Sequence, residues 1–163
     1  MMYETILSPI HYGGMQLKNR IIFAPTTFGL SDEEYLAKIR AIAQGGCAMI
    51  IVGDVPVGKS KFEKSLFDTK GFAFYQQVVK IAHDADCKVC AQLHQSDSNL
   101  PALFKYIPGL LLKKITPDQL REKLNAEVAP YITKMSKRKI HEIISGFGKA
   151  AALAKQAGFD MMQ

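Results

Sequence analysis

The stretch RIIFAPTTFG, Arg20–Gly29, places a short apolar run directly before a proline and two adjacent threonines. The run is too short for a helix and rich in β-branched residues, so we interpret Ile21–Ala24 as a strand that is buried on both faces. Proline stiffens the turn that follows the strand, because it fixes φ and lacks an N–H group. The neighbouring segments decide which kind of sheet contains this strand.

Three further strand patterns alternate with helical patterns along the chain. The predicted strands are Ala48–Gly53, Cys87–Leu93 and the start of a fourth strand within Ala157–Gln163. Apolar residues recur at helical spacing in three segments: 31–46, 74–85 and 140–154. Repeated strand–helix–strand units with apolar strands predict a parallel sheet covered by helices. Both a doubly wound open sheet and a (β/α)8 barrel fit this pattern.

Local capping and turn signals add detail to this scheme. Ser31 and Thr116 each precede a Glu or Gln by three residues, which predicts a capping box at the start of two helices. The pair Gly13–Gly14 predicts a tight turn in an N-terminal hairpin at about 5–19. The segment at about 95–134 is predicted to be an irregular excursion, apart from the helix that Thr116 opens.

The composition indicates one soluble globular domain. The 163 residues are 48% hydrophobic and 22% charged, and no run of about 18 apolar residues predicts a membrane span. The N-terminus is a poor signal peptide, and an odd number of cysteines, three, favours a reducing, cytoplasmic location. We interpret the net charge of +6 as surface charge and expect no nucleic-acid partner.

Two features bear on phosphate and metal binding. The turn after the first strand is Ala-Pro-Thr-Thr and lacks the Gly-rich phosphate motif that a doubly wound sheet often carries there. In a barrel, chemistry lies on the loops that follow the strands, which begin here at Pro25, Asp54 and Leu93. Cys87 and Cys90 are three apart on a predicted strand and therefore face opposite sides, so we predict no metal site.

The segment ILSPIHYGGMQLKNRIIFAPTT resembles the N-terminal signature of the Old Yellow Enzyme-like NADH:flavin oxidoreductases. The resemblance continues through AQGGCAMIIVG, the glutamine of AQL and the helix KAAALAKQAGFD. It implies that residues 1–163 are the N-terminal part, about strands one to four, of a single FMN-binding (β/α)8 barrel domain. It also implies an ene-reductase, in which hydride passes from NAD(P)H through flavin N5 to an activated C=C bond of a small unsaturated substrate.

The resemblance implies which residues contact the flavin. These residues follow the first three strands: Ala24, Pro25, Thr26, Thr27, Gly53, Asp54, Gln92 and His94. Thr27 matches the position whose hydroxyl or thiol reaches the flavin C4 carbonyl, where a donor stabilises reduced flavin and so tunes it. Gln92 matches the glutamine whose carboxamide, both donor and acceptor, complements the pyrimidine edge of the ring.

The sequence departs from the family pattern at several places. A carboxylate at Asp54 would disfavour the anionic reduced flavin, unless the side chain points to solvent and only the backbone is used. His94 is displaced by one position and the family's following Gly-Arg is missing, so His94 either partly replaces that arginine or is an ordinary loop histidine. The substrate-anchoring pair, the phosphate-binding loops and the iron–sulfur cysteines of some relatives would lie beyond Gln163.

Two other hypotheses stay open beside the flavin oxidoreductase. The chain is a non-catalytic half barrel that associates through its open sheet edge, either with itself or with a complementary half. In the third hypothesis, a different barrel enzyme uses the same strand ends for a ligand other than flavin.

Overall fold

The computed structural model describes residues 3–60, 63–95 and 100–163. The elements, in chain order, are α1 (Glu4–Leu7), β1 (Ile10–Tyr12), β2 (Met15–Leu17), β3 (Ile22–Phe23), α2 (Asp32–Gln44), β4 (Met49–Pro56), α3 (Thr69–His83), β5 (Lys88–His94), α4 (Leu100–Leu111), α5 (Pro117–Thr133), α6 (Lys137–Ala157) and β6 (Met161–Met162). Strands β1 and β2 form an antiparallel hairpin, and the other four strands form one parallel sheet.

The strands of the parallel sheet lie side by side in the order in which they occur in the chain, β3-β4-β5-β6. Representative pairs are Ile22 with Met49 and Cys90 with Met161. A doubly wound sheet reverses its strand order, whereas a (β/α)8 barrel adds each new strand to the same side. The described strands therefore have the order of the first four strands of a barrel.

Alternation along the strands sends side chains to two opposite faces of the sheet. One face packs against helices and forms the main core, whose buried members include Ile39, Ile50, Val78, Val89 and Ala154. The other face carries a smaller cluster of Leu17, Ala48, Met49 and Cys90. Cys87 belongs to the first cluster and Cys90 to the second, which confirms that the two thiols face opposite sides.

The local signals are confirmed in part. Ser31 and Thr116 both form complete capping boxes, and the Gly13–Gly14 turn joins a hairpin that is shorter than predicted. The segment Glu4–Leu7 was expected to be extended but is a single helical turn. The sequence did not reveal it because one turn is too short to leave a periodic signal. Strand β4 continues beyond Gly53 to Pro56, where a loop was expected.

The predicted irregular excursion is wrong over most of its described length, because two helices occupy it. The described residues from 100 to 144 form one compact unit, and the described residues of 3–95 and 145–163 form another. Within this smaller unit, Glu127 of α5 accepts hydrogen bonds from Lys105 and Tyr106 of α4, which ties the two helices together. No helix in the described part of the chain is both long and apolar enough to cross a membrane.

Candidate functional site

The carboxyl ends of β3, β4 and β5 meet at one edge of the parallel sheet. Gly53 of β4 shows how tightly the residues there are packed. A Cβ atom on Gly53 would lie 3.2 Å from Cβ of Pro25, 3.5 Å from Oε1 of Gln92 and 3.7 Å from the backbone nitrogen of Thr26. The structure thus brings together four of the residues that the sequence assigned to one site. A side chain at Gly53 would be tight only against Pro25, because 3.5 Å from the carboxamide oxygen is an ordinary van der Waals contact.

A bulge in β4 separates Gly53 from the residue that follows it. The pairing with β5 runs from Val52 opposite Ala91 to Val55 opposite Leu93, so β4 contains one extra residue. Asp54 lies in this bulge and has a φ of 56°, the left-handed region in which Asp and Asn are enriched among residues with a side chain. Bulges re-aim side chains, and here Asp54 is turned toward the loop that follows β3.

Thr27 donates a hydrogen bond from its hydroxyl to Oδ2 of Asp54. The expectation that Asp54 points to solvent is therefore incomplete: its side chain is exposed, but it has a partner. The neighbouring Thr26 hydroxyl lies 3.5 Å from the carbonyl oxygen of Ala24. Ala24 itself is exposed and contributes this carbonyl to the turn.

His94 lies at the end of β5, where its carbonyl oxygen accepts a hydrogen bond from the backbone nitrogen of Val57 at 3.0 Å. Its Nε2 atom is 3.7 Å from a carboxylate oxygen of Glu63. Its Nδ1 atom is buried and has no hydrogen-bond partner among the described residues. A buried polar nitrogen without a partner marks a place where a ligand group can bind.

A cavity of about 250 Å³ opens beside this strand edge. It is lined by Thr26, Thr27, Phe28, Gly29, Leu30, Asp32, Tyr35, Val52, Gly53, Asp54, Glu63, Lys64, Phe74 and Tyr75. Burial is the main reason why the pKa values of Tyr35 and Tyr75 are raised, so both phenols stay protonated at neutral pH. Lys64 forms an ion pair with Asp32 at the rim.

Sequence reasoning missed the aromatic lining of this cavity. The rings of Phe28, Tyr35, Phe74 and Tyr75 follow one another with centroids 5.5–5.8 Å apart. In the sequence, Phe74 lies on the apolar face of a helix and is explained by ordinary core packing. The spacing in the helices carries no signal that these rings approach the Thr27 loop.

The donor set suits the pyrimidine edge of a flavin, which presents both donors and acceptors. Gln92 makes no side-chain hydrogen bond to a described residue, and its carboxamide can both donate and accept. The Nδ1 atom of His94 supplies a further unsatisfied group near the end of the same strand. Gly53 contributes no side chain, and the position that its Cβ would take lies 3.2 Å from Cβ of Pro25. The residues present therefore fit FMN.

The parallel strand–helix units and the strand order place the chain in the (β/α)8 barrel class. Residues 5–163 match the NADH:flavin oxidoreductase / NADH oxidase family, and the chain belongs to that family. Its Old Yellow Enzyme-like resemblance and its partial-barrel fold are thereby confirmed.

Comparison with individual proteins agrees with the family. The chain is 53% identical over 163 residues to a bilirubin reductase of Clostridium symbiosum (strain WAL-14163), covering 99% of this chain and 44% of that protein. It is 26% identical to a bilirubin reductase of Mediterraneibacter gnavus (strain CC55_001C), with 97% of this chain and 25% of that protein covered. The chain thus spans less than half the length of these curated relatives.

A solved structure shows the same fold. The Old Yellow Enzyme of Pichia sp. AKU4542 superposes with a TM-score of 0.73 at 19% identity, over 97% of this chain and 45% of that chain. At this identity the likeness establishes the fold only.

Proposed function

We propose that this chain forms the front half of the FMN pocket in an FMN-dependent NAD(P)H oxidoreductase of the ene-reductase type. One observation carries the proposal: Pro25, the Thr26 backbone nitrogen and the Gln92 carboxamide converge on Gly53, at the strand edge where (β/α)8 enzymes place their chemistry. The family match over residues 5–163 supports the cofactor.

Each residue at this edge has a distinct part in the proposal. Gln92 orients the pyrimidine edge of FMN through its carboxamide, and the side-chain-free surface at Gly53 lets the ring approach the backbone. Pro25 keeps the turn rigid, and Thr27 faces the C4 carbonyl. His94 supplies its unpartnered Nδ1 to the cofactor in place of the arginine that the family has nearby.

FMN, when bound, would accept hydride from NAD(P)H at N5 and pass it to one carbon of an activated C=C bond. The chain's own residues hold and orient the ring for this transfer. For the substrate we propose a tetrapyrrole such as bilirubin, since that molecule appears in the name of the relative with 53% identity. We also propose that the protein is located in the cytoplasm.

The test uses this chain together with any coding sequence that follows Gln163, purified and reconstituted with FMN. We expect a yellow protein that oxidises NADH or NADPH when bilirubin is added under anaerobic conditions. Gln92→Leu removes both hydrogen-bonding groups of the carboxamide and should weaken FMN binding by about tenfold, or 1.4 kcal/mol. A colourless protein that leaves NAD(P)H unchanged would refute the proposal.

A second candidate, association through an open sheet edge, has its own observation. Among the described residues, the outer strands β3 and β6 each pair on one side only. Ile21, directly before β3, is 42% exposed and Ile22, within β3, is 47% exposed, which leaves apolar surface at that edge. Size-exclusion chromatography tests this candidate: we expect the 163-residue chain to run as a dimer or with a complementary half, and a compact monomer without apolar-dye binding would contradict it.

A further inference from the structure

We propose that Asp54 is a positioning residue that holds the hydroxyl proton of Thr27. Thr27 then turns an oxygen lone pair, and not a hydrogen, toward the flavin, and the carboxylate keeps the midpoint potential of bound FMN low. This inference rests on the proposed function and deepens it, because it assigns a redox-tuning device to the same strand edge.

The backbone shows how Asp54 comes to face Thr27. The extra residue between Val52 and Val55 breaks the alternation of β4, and the positive φ of Asp54 turns its side chain away from the direction of its neighbours. Gly53, one residue earlier, faces Pro25 and Gln92 instead. Gly53 and Asp54 are successive residues of β4, yet they contact different residues at the same edge of the sheet.

The hydrogen bond decides what Thr27 can offer to a ligand. A threonine hydroxyl has a single hydrogen, and that hydrogen points to Oδ2 of Asp54. The carboxylate is an acceptor only, so the direction of this bond is fixed as long as Asp54 is ionised. Thr27 cannot donate to Asp54 and to a flavin carbonyl at the same time.

One cation and two further carboxylates share the described lining of the cavity with Asp54. Lys64 lines the same cavity but forms its ion pair with Asp32. Glu63, which also lines it, carries a second negative charge. A flavin gains negative charge on reduction, so the charge of Asp54 at this edge favours the oxidised form.

Four variants separate the charge of Asp54 from its hydrogen bond. Asp54→Asn removes the charge but keeps an acceptor, and asparagine tolerates the positive φ. Asp54→Gly removes the acceptor and also accepts this φ. Thr27→Val removes the hydroxyl with little change in shape, alone and together with Asp54→Gly. Asp84→Asn removes an exposed carboxylate at the C-cap of α3 and serves as the control for a change in net charge.

The readout is the midpoint potential of bound FMN, measured anaerobically on the chain together with any coding sequence that follows Gln163. We expect Asp54→Asn to favour binding of reduced over oxidised FMN by about tenfold, a rise of about 30 mV for a two-electron couple. Asp84→Asn should leave the potential unchanged. Thr27→Val should have little effect alone but should lower the potential in the Asp54→Gly background, where the hydroxyl is free to donate.

The contrary results are distinct. If Thr27→Val lowers the potential equally in both backgrounds, the hydroxyl already donates to flavin and the proposal is overturned. If Asp54→Asn leaves the potential unchanged, the carboxylate has no influence on the cofactor, which also overturns it. If neither the wild-type protein nor any variant binds FMN, the proposed function itself fails, a result recognised by the missing flavin spectrum. Circular dichroism of each variant confirms that the fold persists.

Discussion

Asp160 at the amino-terminal end of the parallel sheet and His94 at its carboxyl-terminal end differ in whether their polar atoms have hydrogen-bond partners in the chain. At the amino-terminal end, Asp160 before β6 is fully engaged: it lies 2.7 Å from Nε2 of His83, 2.8 Å from the backbone nitrogen of Val89 and 3.2 Å from Nζ of Lys88. At the carboxyl-terminal end, Nδ1 of His94 is buried without a described partner. Polar groups that are satisfied within the chain stabilise the fold, whereas unsatisfied ones are available to a ligand.

This difference matches the division of labour in (β/α)8 barrels, in which the amino-terminal end serves stability and the carboxyl-terminal end serves chemistry. The difference between the two ends can be tested by mutation. Replacements at the amino-terminal end should change stability and leave FMN binding unchanged, and replacements at the carboxyl-terminal end should change FMN binding.

The largest effect is expected from Gly53→Ala at the carboxyl-terminal end. The added Cβ would lie 3.2 Å from Cβ of Pro25, a tight contact that forces the proline turn to shift, and 3.5 Å from Oε1 of Gln92, which is an ordinary van der Waals contact. The added methyl group also covers backbone that the ring is proposed to approach. We expect the FMN dissociation constant to rise more than about tenfold, or 1.4 kcal/mol, in a fluorescence titration. Gly58→Ala is the matched control, since its Cβ would meet no atom within 4 Å. Equal affinities of the two variants would contradict the site.

At the other end, Asp160→Asn should reduce stability and leave FMN binding unchanged. The carboxylate joins β6 to β5 and to the end of α3, and its replacement weakens charged hydrogen bonds of a side chain that is 15% exposed. We expect the free energy of unfolding in urea to fall by about 1–3 kcal/mol. Asp84→Asn, which breaks an exposed pair with Lys80, should change it by about 0.5 kcal/mol or less. A weaker FMN affinity in Asp160→Asn would contradict the prediction that the amino-terminal end affects stability only.

The same carboxylate should make stability depend on pH in the acid range. Burial raises the pKa of Asp160, but the hydrogen bonds from His83 and Val89 outweigh burial and hold it below its ordinary value. Because the folded-state pKa is lowered, this stabilisation is present above the unfolded value of about 4 and is lost as the pH falls through the folded pKa. Urea unfolding between pH 6 and 3 should show a decline that is smaller in Asp160→Asn. Parallel curves for the two proteins would refute this assignment.

The smallest effect is expected from His94→Leu. The variant loses Nδ1, which is proposed to contact FMN, and a 3.7 Å approach to Glu63. We expect FMN affinity to fall about threefold to tenfold, as for one neutral hydrogen bond, while urea stability is little changed because no buried partner is left unpaired. A loss of stability without a loss of affinity would identify His94 as an ordinary structural histidine.

Much of the fold follows from local sequence signals. The capping boxes at Ser31 and Thr116 are predictable because each depends on residues close in sequence, and the parallel sheet follows from the repeated strand–helix unit. The repeat alone fits both a doubly wound sheet and a barrel, so the expectation of a barrel came from the family resemblance. Helix α4 was missed because it contains Pro108, which normally argues against a helix interior.

The finer geometry of the site could not be predicted in the same way. Gln92 and Pro25 were named from the family resemblance, yet their convergence on Gly53 depends on three strands that are distant in sequence. The bulge at Asp54 adds one residue to β4, and a run of apolar residues gives no sign of such an insertion. The Thr27–Asp54 hydrogen bond follows from that bulge and therefore appears only in the structure.

The most direct test of the account is an FMN titration of the chain together with any coding sequence that follows Gln163, monitored by flavin fluorescence. Wild-type protein, Gln92→Leu and Asp160→Asn would be compared side by side. The account predicts saturable binding that is at least about tenfold weaker in Gln92→Leu and unchanged in Asp160→Asn. No binding by the wild-type protein, or equal binding by all three, would contradict the claim that the carboxyl-terminal edge of this sheet holds FMN.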